Sequence, residues 1–493
     1  MTPTPQHPRP TRHAQRTRPI LTWAALPLLT TALLSACSSP SLKPSLTPWS
    51  STQLGLSASA STEVAADWWT TWGDAPLQAL IRQALQDHPS MQQAAARVQR
   101  MQATVRLAGA ADLPQIGLGA DFSRQRFSAN GLYPKPIAGN IWNNDTLQVS
   151  LGWTPDLWGE HAAALAAAVG QTRAAQAEAA MASQWLASHI LRSSMGLARL
   201  LAQQDTSTQL IELRETAQYL VRQRHEAGLD SRIEQAQNEG SLAELQAQHQ
   251  ALQEQIDLTR HQLAVLCGLP PQALQDYAPR LDSFALTPMP TQLGADLLGR
   301  RPDVVAARWR VEAAQQQIHV AQTQFYPSVN LGVFAGYNAL GTQHLLEAGS
   351  RQYGIVPALR LPLFEGGRLQ AQLSGREAER DLAVAQYNQA VLDAVREAAD
   401  AIRSSESAAQ QAADQSRALD AATQAHALAQ QREQAGLGNR LNLLSAQAAL
   451  LAQQRARIDL QARQLDVRVQ LVRALGGGWQ PDSPVAAPST ARR

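Results

Sequence analysis

Apolar residues recur along this chain with two different periods, and the change of period marks its elements. In two proline-free runs, Asp156 to Leu269 and Leu363 to Gln480, they return every three or four residues, the spacing of amphipathic helices. Leu441, Leu444, Ala448, Leu451, Ile458, Ala462, Leu465, Val469 and Val472 step by three, four or seven, which predicts a left-handed coiled-coil seam. Val384, Val391, Val395, Ala398 and Ile402 do the same on the preceding arm. Each run is interrupted once by glycine, in "HEAGLDSR" (His225 to Arg232) and "EQAGLGNR" (Glu433 to Arg440). A short break between such helices predicts an antiparallel hairpin, with Gly228, Gly436 and Gly438 supplying the backbone freedom. Gly228, Leu229, Asp230, Gly436, Leu437, Gly438 and Asn439 are therefore the expected hairpin tips.

Elsewhere the period is two. Ile116, Leu118, Ala120 and Phe122 alternate with polar or small residues, as do Leu147, Val149, Leu151 and Trp153. Val329, Leu331, Val333 and Ala335 repeat the pattern, followed by Tyr353, Ile355, Leu359 and Leu361. Apolar-out, polar-in alternation is what a transmembrane barrel strand requires, although two half-buried hairpins on a soluble sheet would look the same. Four strands cannot close a barrel, and an open edge in lipid leaves backbone groups unpaired, so strands must be pooled between copies. Two chains would supply eight strands around an interior filled by side chains, and three would supply twelve, the arrangement preferred for a conducting barrel.

These patterns occur twice. "HPSMQQAAARVQRMQATVRLAGAADLPQIGL" from His88 matches "RPDVVAARWRVEAAQQQIHVAQTQFYPSVNL" from Arg301, pairing Pro89 with Pro302, Arg97 with Arg310 and Pro114 with Pro327. Gly159, Gly228 and Gly268 pair with Gly367, Gly436 and Gly476. Each half thus reads helix, strand, strand, very long helix, glycine break, long helix. Pro89 and Pro302 suit a first helical position, and Asp303 favours the positive end of the helix dipole. The run from Gly159 to Glu226 makes on the order of 100 Å of helix, against about 30 Å of bilayer hydrocarbon. Helices that long and that polar must project into water.

Composition and charge narrow the function. The 493-residue chain has a net charge of +2, and its only lysines are Lys43 and Lys135. Nothing in that balance provides the basic footprint of a nucleic-acid binder. At the N-terminus Arg9, Arg12, Arg16 and Arg18 precede an apolar stretch, Ile20 to Ala36, which reads as an export signal. "LLSAC" then places Cys37 where a bacterial lipobox has its lipidated cysteine, and Ser38 is compatible with delivery to an outer membrane. The Ser, Thr and Pro-rich stretch up to Ala66 reads as a tether. Cys267, the other cysteine, is expected to be buried. No H-E-x-x-H, G-x-S-x-G or phosphate loop is present, and His161, His189 and His261 stand singly on polar helix stretches, so neither catalysis nor a metal or other cofactor is expected.

"LLSAC", "WWTTWGDAPLQALIRQAL" from Trp68, "LLGRRPDVVAARWRVEAA" from Leu297, "FEGGRL" from Phe364 and "ALGGGW" from Ala474 carry a family resemblance. The chain resembles the TolC-like outer membrane factors, in the lipoprotein branch that serves resistance–nodulation–division (RND) efflux pumps. The resemblance implies a mainly α chain with a small β part, its tandem-duplicated helical hairpins forming an α-barrel. It also implies a homotrimer with a twelve-stranded transmembrane β-barrel and twelve helices in the periplasm. The implied organisation is a lipoprotein signal peptide over 1–36, a lipidated tether over 37–66, efflux repeats over 67–285 and 286–479, and a disordered tail over 480–493. The implied task is a passive exit duct, lipid-anchored in the cell outer membrane, that docks on a periplasmic adaptor (membrane fusion protein) and an inner-membrane RND transporter. A duct for type I protein secretion and, in a different class, a lipidated periplasmic adaptor are the alternatives. Relatives of this kind often carry aspartates just after the second tip glycine. The corresponding residues here are Asn442 and Ser445, and the first tip offers Asp230 and Glu234, so these four are the candidate periplasmic gate.

Overall fold

A computed structural model describes residues 45–50, 53, 64–284 and 297–480. The expected signal peptide, Cys37, most of the tether and the tail from 481 onward lie outside the described residues. The chain divides into two compact units, a β-sheet unit and a helical unit.

In the helical unit the N-terminal helix α1 (Ala75–Asp87) is capped by Asp74, whose side chain accepts from Leu77 N–H at 3.0 Å. Then come α2 (Pro89–Ala110), α3 (Glu160–Glu226), α4 (Arg232–Leu266), α5 (Pro302–Thr323), α6 (Arg368–Gln434) and α7 (Arg440–Ala474). Prolines open α2 and α5, where a missing N–H costs no helical bond. Helices α3 and α6 each have 67 residues, α4 and α7 each have 35, and α2 and α5 each have 22, so the two halves match in helix length without an insertion.

The largest core cluster gathers Trp72, Leu77 and Ile81 with Leu186 and Ile190 of α3, Leu263 of α4, and Leu465 and Val469 of α7. Trp68 and Trp72 meet edge to face, 6.2 Å between centroids, and plug the cluster. Cys267 is buried in the same cluster, and burial pushes its thiol up to about 12, so it stays protonated at neutral pH. Seam residues Leu444 and Leu451 of α7 pack on Leu213 and Ala217 of α3, while Leu471 and Ala474 pack on Ala398 and Ala401 of α6. The descending helix of the second hairpin therefore lies against the ascending helix of the first as well as its own partner. Arg192 with Asp466 and Arg199 with Asp459 (3.0 Å) fix the register of α7 on α3.

Two parts of the sequence reading change. His161, His189 and His261 are half-buried, and His189 stacks on Trp185 at 4.0 Å between centroids, so their helix faces are more covered than the polar spacing suggested. Over residues 45–50 the tether is also fixed on α6. Arg380 donates to Leu46 O at 2.7 Å, Trp49 N–H to the Asn388 side chain at 2.9 Å, and Asn388 in return to Thr47 O at 3.2 Å.

In the sheet unit, β1 (Gln115–Arg126), β2 (Ile141–Trp153), β3 (Ser328–Leu340) and β4 (Arg351–Arg360) form one antiparallel meander in that order. Leu361 falls just beyond β4. The middle strands β2 and β3 come from different halves of the chain and pair over Asn144–Trp153 and Leu331–Leu340.

Arg301 holds three helices of the helical unit together. Only 8% exposed, its side chain forks onto Asp303 (2.6 and 3.1 Å), reaches Glu397 of α6 at 3.0 Å and donates to Ala474 O of α7 at 3.3 Å. Burial alone would lower its pKa, but Asp303 and Glu397 outweigh it and hold the guanidinium charged. Replacing Arg301 with Met should leave Asp303 without its ion-pair partner and Glu397 with only the longer contact to Arg473 (3.8 Å), and cost about 2 kcal/mol, read as a lower urea midpoint of the detergent-solubilised protein.

Candidate functional site

Both hairpin tips are built by one local rule. Gly228 (φ 76°) and Gly436 (φ 70°) are left-handed, and Leu229 and Leu437 N–H reach back to Arg224 O at 2.8 Å and Arg432 O at 2.9 Å. That is a Schellman ending, in which a glycine without Cβ strain satisfies the last carbonyls. Gly438 is not left-handed, and Asp230 stands at the matching place in the first tip, so one glycine per tip suffices for the reversal.

The return helices start differently. Ser231 caps α4 through a full capping box with Glu234, and Asn439 caps α7 by accepting from Asn442 N–H at 3.0 Å. Arg224 holds Asp230 in a two-pronged pair, both contacts at 2.9 Å, and His225 Nδ1 lies 2.9 Å from the Asp230 carbonyl. Thus the two acids proposed for a gate are already engaged in shaping their own turn. Ser445 donates back to Leu441 O at 2.9 Å, and Asn442 presents its amide to the cap.

Below the tips a cleft of about 390 Å³ opens between α3, α4 and α7, lined by Leu213, Arg214, Asp230, Glu234, Leu444 and Ser445 among others. It brings three of the four gate candidates together and leaves Asn442 outside its lining. Arg214 lines it too, with a buried Nε that has no hydrogen-bond partner among the described residues. Arginine spacing on a polar helix face gave no cue to it.

The sheet has two unlike faces. Leu147, Val149, Leu151 and Trp153 register with Tyr337, Ala335, Val333 and Leu331, which continue to Arg351, Tyr353, Ile355 and Pro357. Ile116, Leu118, Phe122, Tyr353, Ile355 and Leu359 are exposed apolar residues, a band that in water would carry a large penalty. Near the strand ends that lead into the helices, Trp158 stacks on Tyr326 (5.1 Å) and donates to Pro327 O at 2.7 Å, as interfacial aromatics do. The other face is polar and partly hollowed by glycine. A Cβ on Gly336 would lie 2.2 Å from Leu147 O, and across this gap Gln352 donates to Gln148 at 3.2 Å. Asn338 donates to Thr146 at 2.8 Å, while Phe334 lies over Gly354. Alternation announced this face, but which glycines carry a neighbour's side chain depends on register, which one strand does not specify.

Pairing with Arg224 holds the Asp230 carboxyl below its ordinary range. Because the folded value is depressed, the stabilisation is present above the unfolded pKa and disappears as pH falls through the folded one. Hydrogen-exchange protection at Leu229, corrected for intrinsic rates, should stay flat from about pH 8 to about pH 5 and drop only in stronger acid. Asp230→Asn should lose protection there at neutral pH.

Comparison with known proteins bears on this arrangement. The outer membrane efflux protein family matches residues 80–269 and 293–477. The multidrug resistance outer membrane protein MdtP of Shigella flexneri is 31% identical over 431 residues, 84% of this chain and 87% of that protein. The crystal structure of VceC from Vibrio cholerae superposes with a TM-score of 0.77 at 36% identity, covering 84% of this chain and 99% of that one. The outer-membrane channel OprN shares the fold, with a TM-score of 0.79 at 24% identity over 90% of this chain and 100% of that one. With two matched segments spanning most of its length, an apolar-faced sheet and paired long hairpins, the chain belongs to the outer membrane efflux protein family: it is an efflux channel of the outer membrane, not an enzyme.

Proposed function

We propose that this channel is the passive exit duct of a tripartite RND-type system, passing drugs or other small toxic compounds outward. The observation that carries the reading is a mismatch of lengths. Helices of 67 residues extend about 100 Å each, no described helix is long and apolar enough to cross a membrane, and alternating exposed apolar residues give the sheet an apolar face. Strands in lipid with helices in the periplasm is the arrangement that satisfies all three.

Three copies supply twelve strands, enough to close β1 of one against β4 of the next around an open interior. Cys37 carries the lipid anchor on the periplasmic side, and residues 45–50 strap the emerging chain to α6. The tips, Gly228 to Asp230 and Gly436 to Asn439, meet the periplasmic adaptor, with the inner-membrane transporter as the source of energy. Asp230, Glu234, Asn442 and Ser445 bound the periplasmic constriction. Since Arg224 pairs with Asp230, Glu234 is the one of the four candidates that brings free negative charge, and the constriction selects weakly among cations.

Three measurements test this. The purified full-length protein should run as a heat-resistant trimer from the outer-membrane fraction, and Cys37→Ala should abolish incorporation of labelled palmitate while leaving the trimer; a water-soluble monomer sinks the reading. In a strain that relies on this duct, Gly436→Val should raise drug susceptibility several-fold without loss of trimer, because a β-branched residue cannot adopt the left-handed tip. Unchanged susceptibility would count against the tips as the adaptor contact.

A further inference from the structure

We propose that the hairpin end of the sheet binds the phosphate groups of an acidic, multiply acylated glycolipid of the outer leaflet, at the seam between neighbouring copies. The inference rests on the duct reading above. Its basis is an asymmetry along the apolar face. On β1 the alternation Ile116, Leu118, Ala120, Phe122 continues with Arg124 and Arg126. Ser123 donates to Asn144 O at 2.9 Å, and a Cβ on Gly117 would lie 3.8 Å from Ser150 Oγ, which puts the odd-numbered residues of β1 on the polar face and the two arginines on the apolar one. On β4 the register sets Arg351 opposite Tyr337, on the same face as Tyr353 and Ile355.

All three arginines are exposed, and among the described residues none has a carboxylate within ion-pair distance. Arg126 donates its Nε to Gly139 O at 3.2 Å and leaves its terminal nitrogens unspent. The nearby acids are engaged otherwise: Asp145 is buried and accepts from Thr342 at 2.7 Å, and Glu347 pairs with His344 at 2.8 Å. At the opposite end of the same face stand Ile116, Trp153, Leu331 and Leu359, without a charge. On this face of the strands, cations appear only at the end bearing the β1–β2 and β3–β4 loops.

Two features make the occupant a lipid. First, the arginines top about 20 Å of apolar strand from Ile116 to Phe122, a length that matches acyl chains lying beneath a charged headgroup. Second, β1 and β4 are the two edges of the sheet, so within one chain the arginines are about 14 Å apart, three strand spacings. Closing β4 of one copy on β1 of the next brings Arg351 beside the neighbour's arginines. Planar guanidinium forks suit bidentate contact with phosphate oxygens. A bis-phosphorylated glycolipid would then fill the seam and staple adjacent copies.

The test is native mass spectrometry of the detergent-purified full-length oligomer with three probes: bis-phosphorylated lipid A, its dephosphorylated counterpart, and inorganic phosphate. Wild type should retain the bis-phosphorylated form at least about tenfold better than the dephosphorylated one, given a contribution from each arginine near a charged surface. The combined change Arg124→Gln, Arg126→Gln, Arg351→Gln should erase that preference, and the corresponding lysine variant, which keeps the charge but not the fork, should keep only part of it. Arg360→Gln, a change at the other end of β4, should have no effect. Should the triple glutamine variant not assemble, Arg126→Gln and Arg351→Gln singly must each weaken retention. Undiminished preference in the glutamine variants, no preference in wild type, or displacement of the lipid by equimolar inorganic phosphate overturns the proposal. Failure of the wild-type oligomer to form would instead sink the duct reading, before any lipid is added.

Discussion

A polypeptide in lipid has no water to satisfy its N–H and C=O groups, and that constraint governs this chain more than any single contact. The meander β1–β4 pairs its inner strands and leaves two edges, while its outward side chains are apolar. A four-stranded sheet with those properties is unstable alone in either solvent: water opposes the apolar face and lipid opposes the edges. Pooling strands between copies resolves both. Oligomerisation in the proposed duct is thus a condition of folding the membrane part, rather than a later step.

The helical unit solves a different problem. Long helices with narrow apolar stripes do not bury enough surface in pairs, and the structure answers by threading α7 between α3 and α6, with Leu444 and Leu451 on one side and Leu471 and Ala474 on the other. Ala-rich faces allow that close approach. The ion pairs Arg192–Asp466 and Arg199–Asp459 add little energy at such exposure, but they set which turn meets which. Arg301 differs because it is buried, so its three partners on α5, α6 and α7 are obligatory. Sequence repeats matter here as lengths: a 67-residue arm in each half permits both tips to be built at the end of equal rods.

Local chemistry was the legible part of the fold. The period of two located the strands, Pro89 and Pro302 located helix starts, and the glycine breaks located tips whose Schellman geometry followed from Gly228 and Gly436. What could not be read was anything that depends on a distant partner. The seam of α7 does not say whether it faces α3 or α6, since a heptad pattern specifies a surface and not an occupant. Nothing in the alternation around Gly336 says that register places it beside Gln148 and Gln352. Arg301 is one arginine of a pair in "GRRPDV", and nothing local distinguishes the buried one from its neighbour. At the tips, sequence position made Asp230 and Glu234 gate candidates; their commitment to Arg224 and Ser231 emerges only when the turn closes.

The same logic explains why charge in the sheet is informative despite being sparse. An arginine on a lipid-facing strand is costly near the bilayer middle and nearly free at its boundary, so Arg124, Arg126 and Arg351 fix where the apolar slab stops. Their confinement to the loop end gives the face a direction, which apolar alternation by itself cannot. A neutral polar residue would mark the boundary equally well, and three guanidinium groups with no carboxylate partner among the described residues go beyond that need. Charge in excess of a positional requirement is the part of a surface that calls for a ligand, and an anionic headgroup above acyl chains matches this surface in both its polarity and its order.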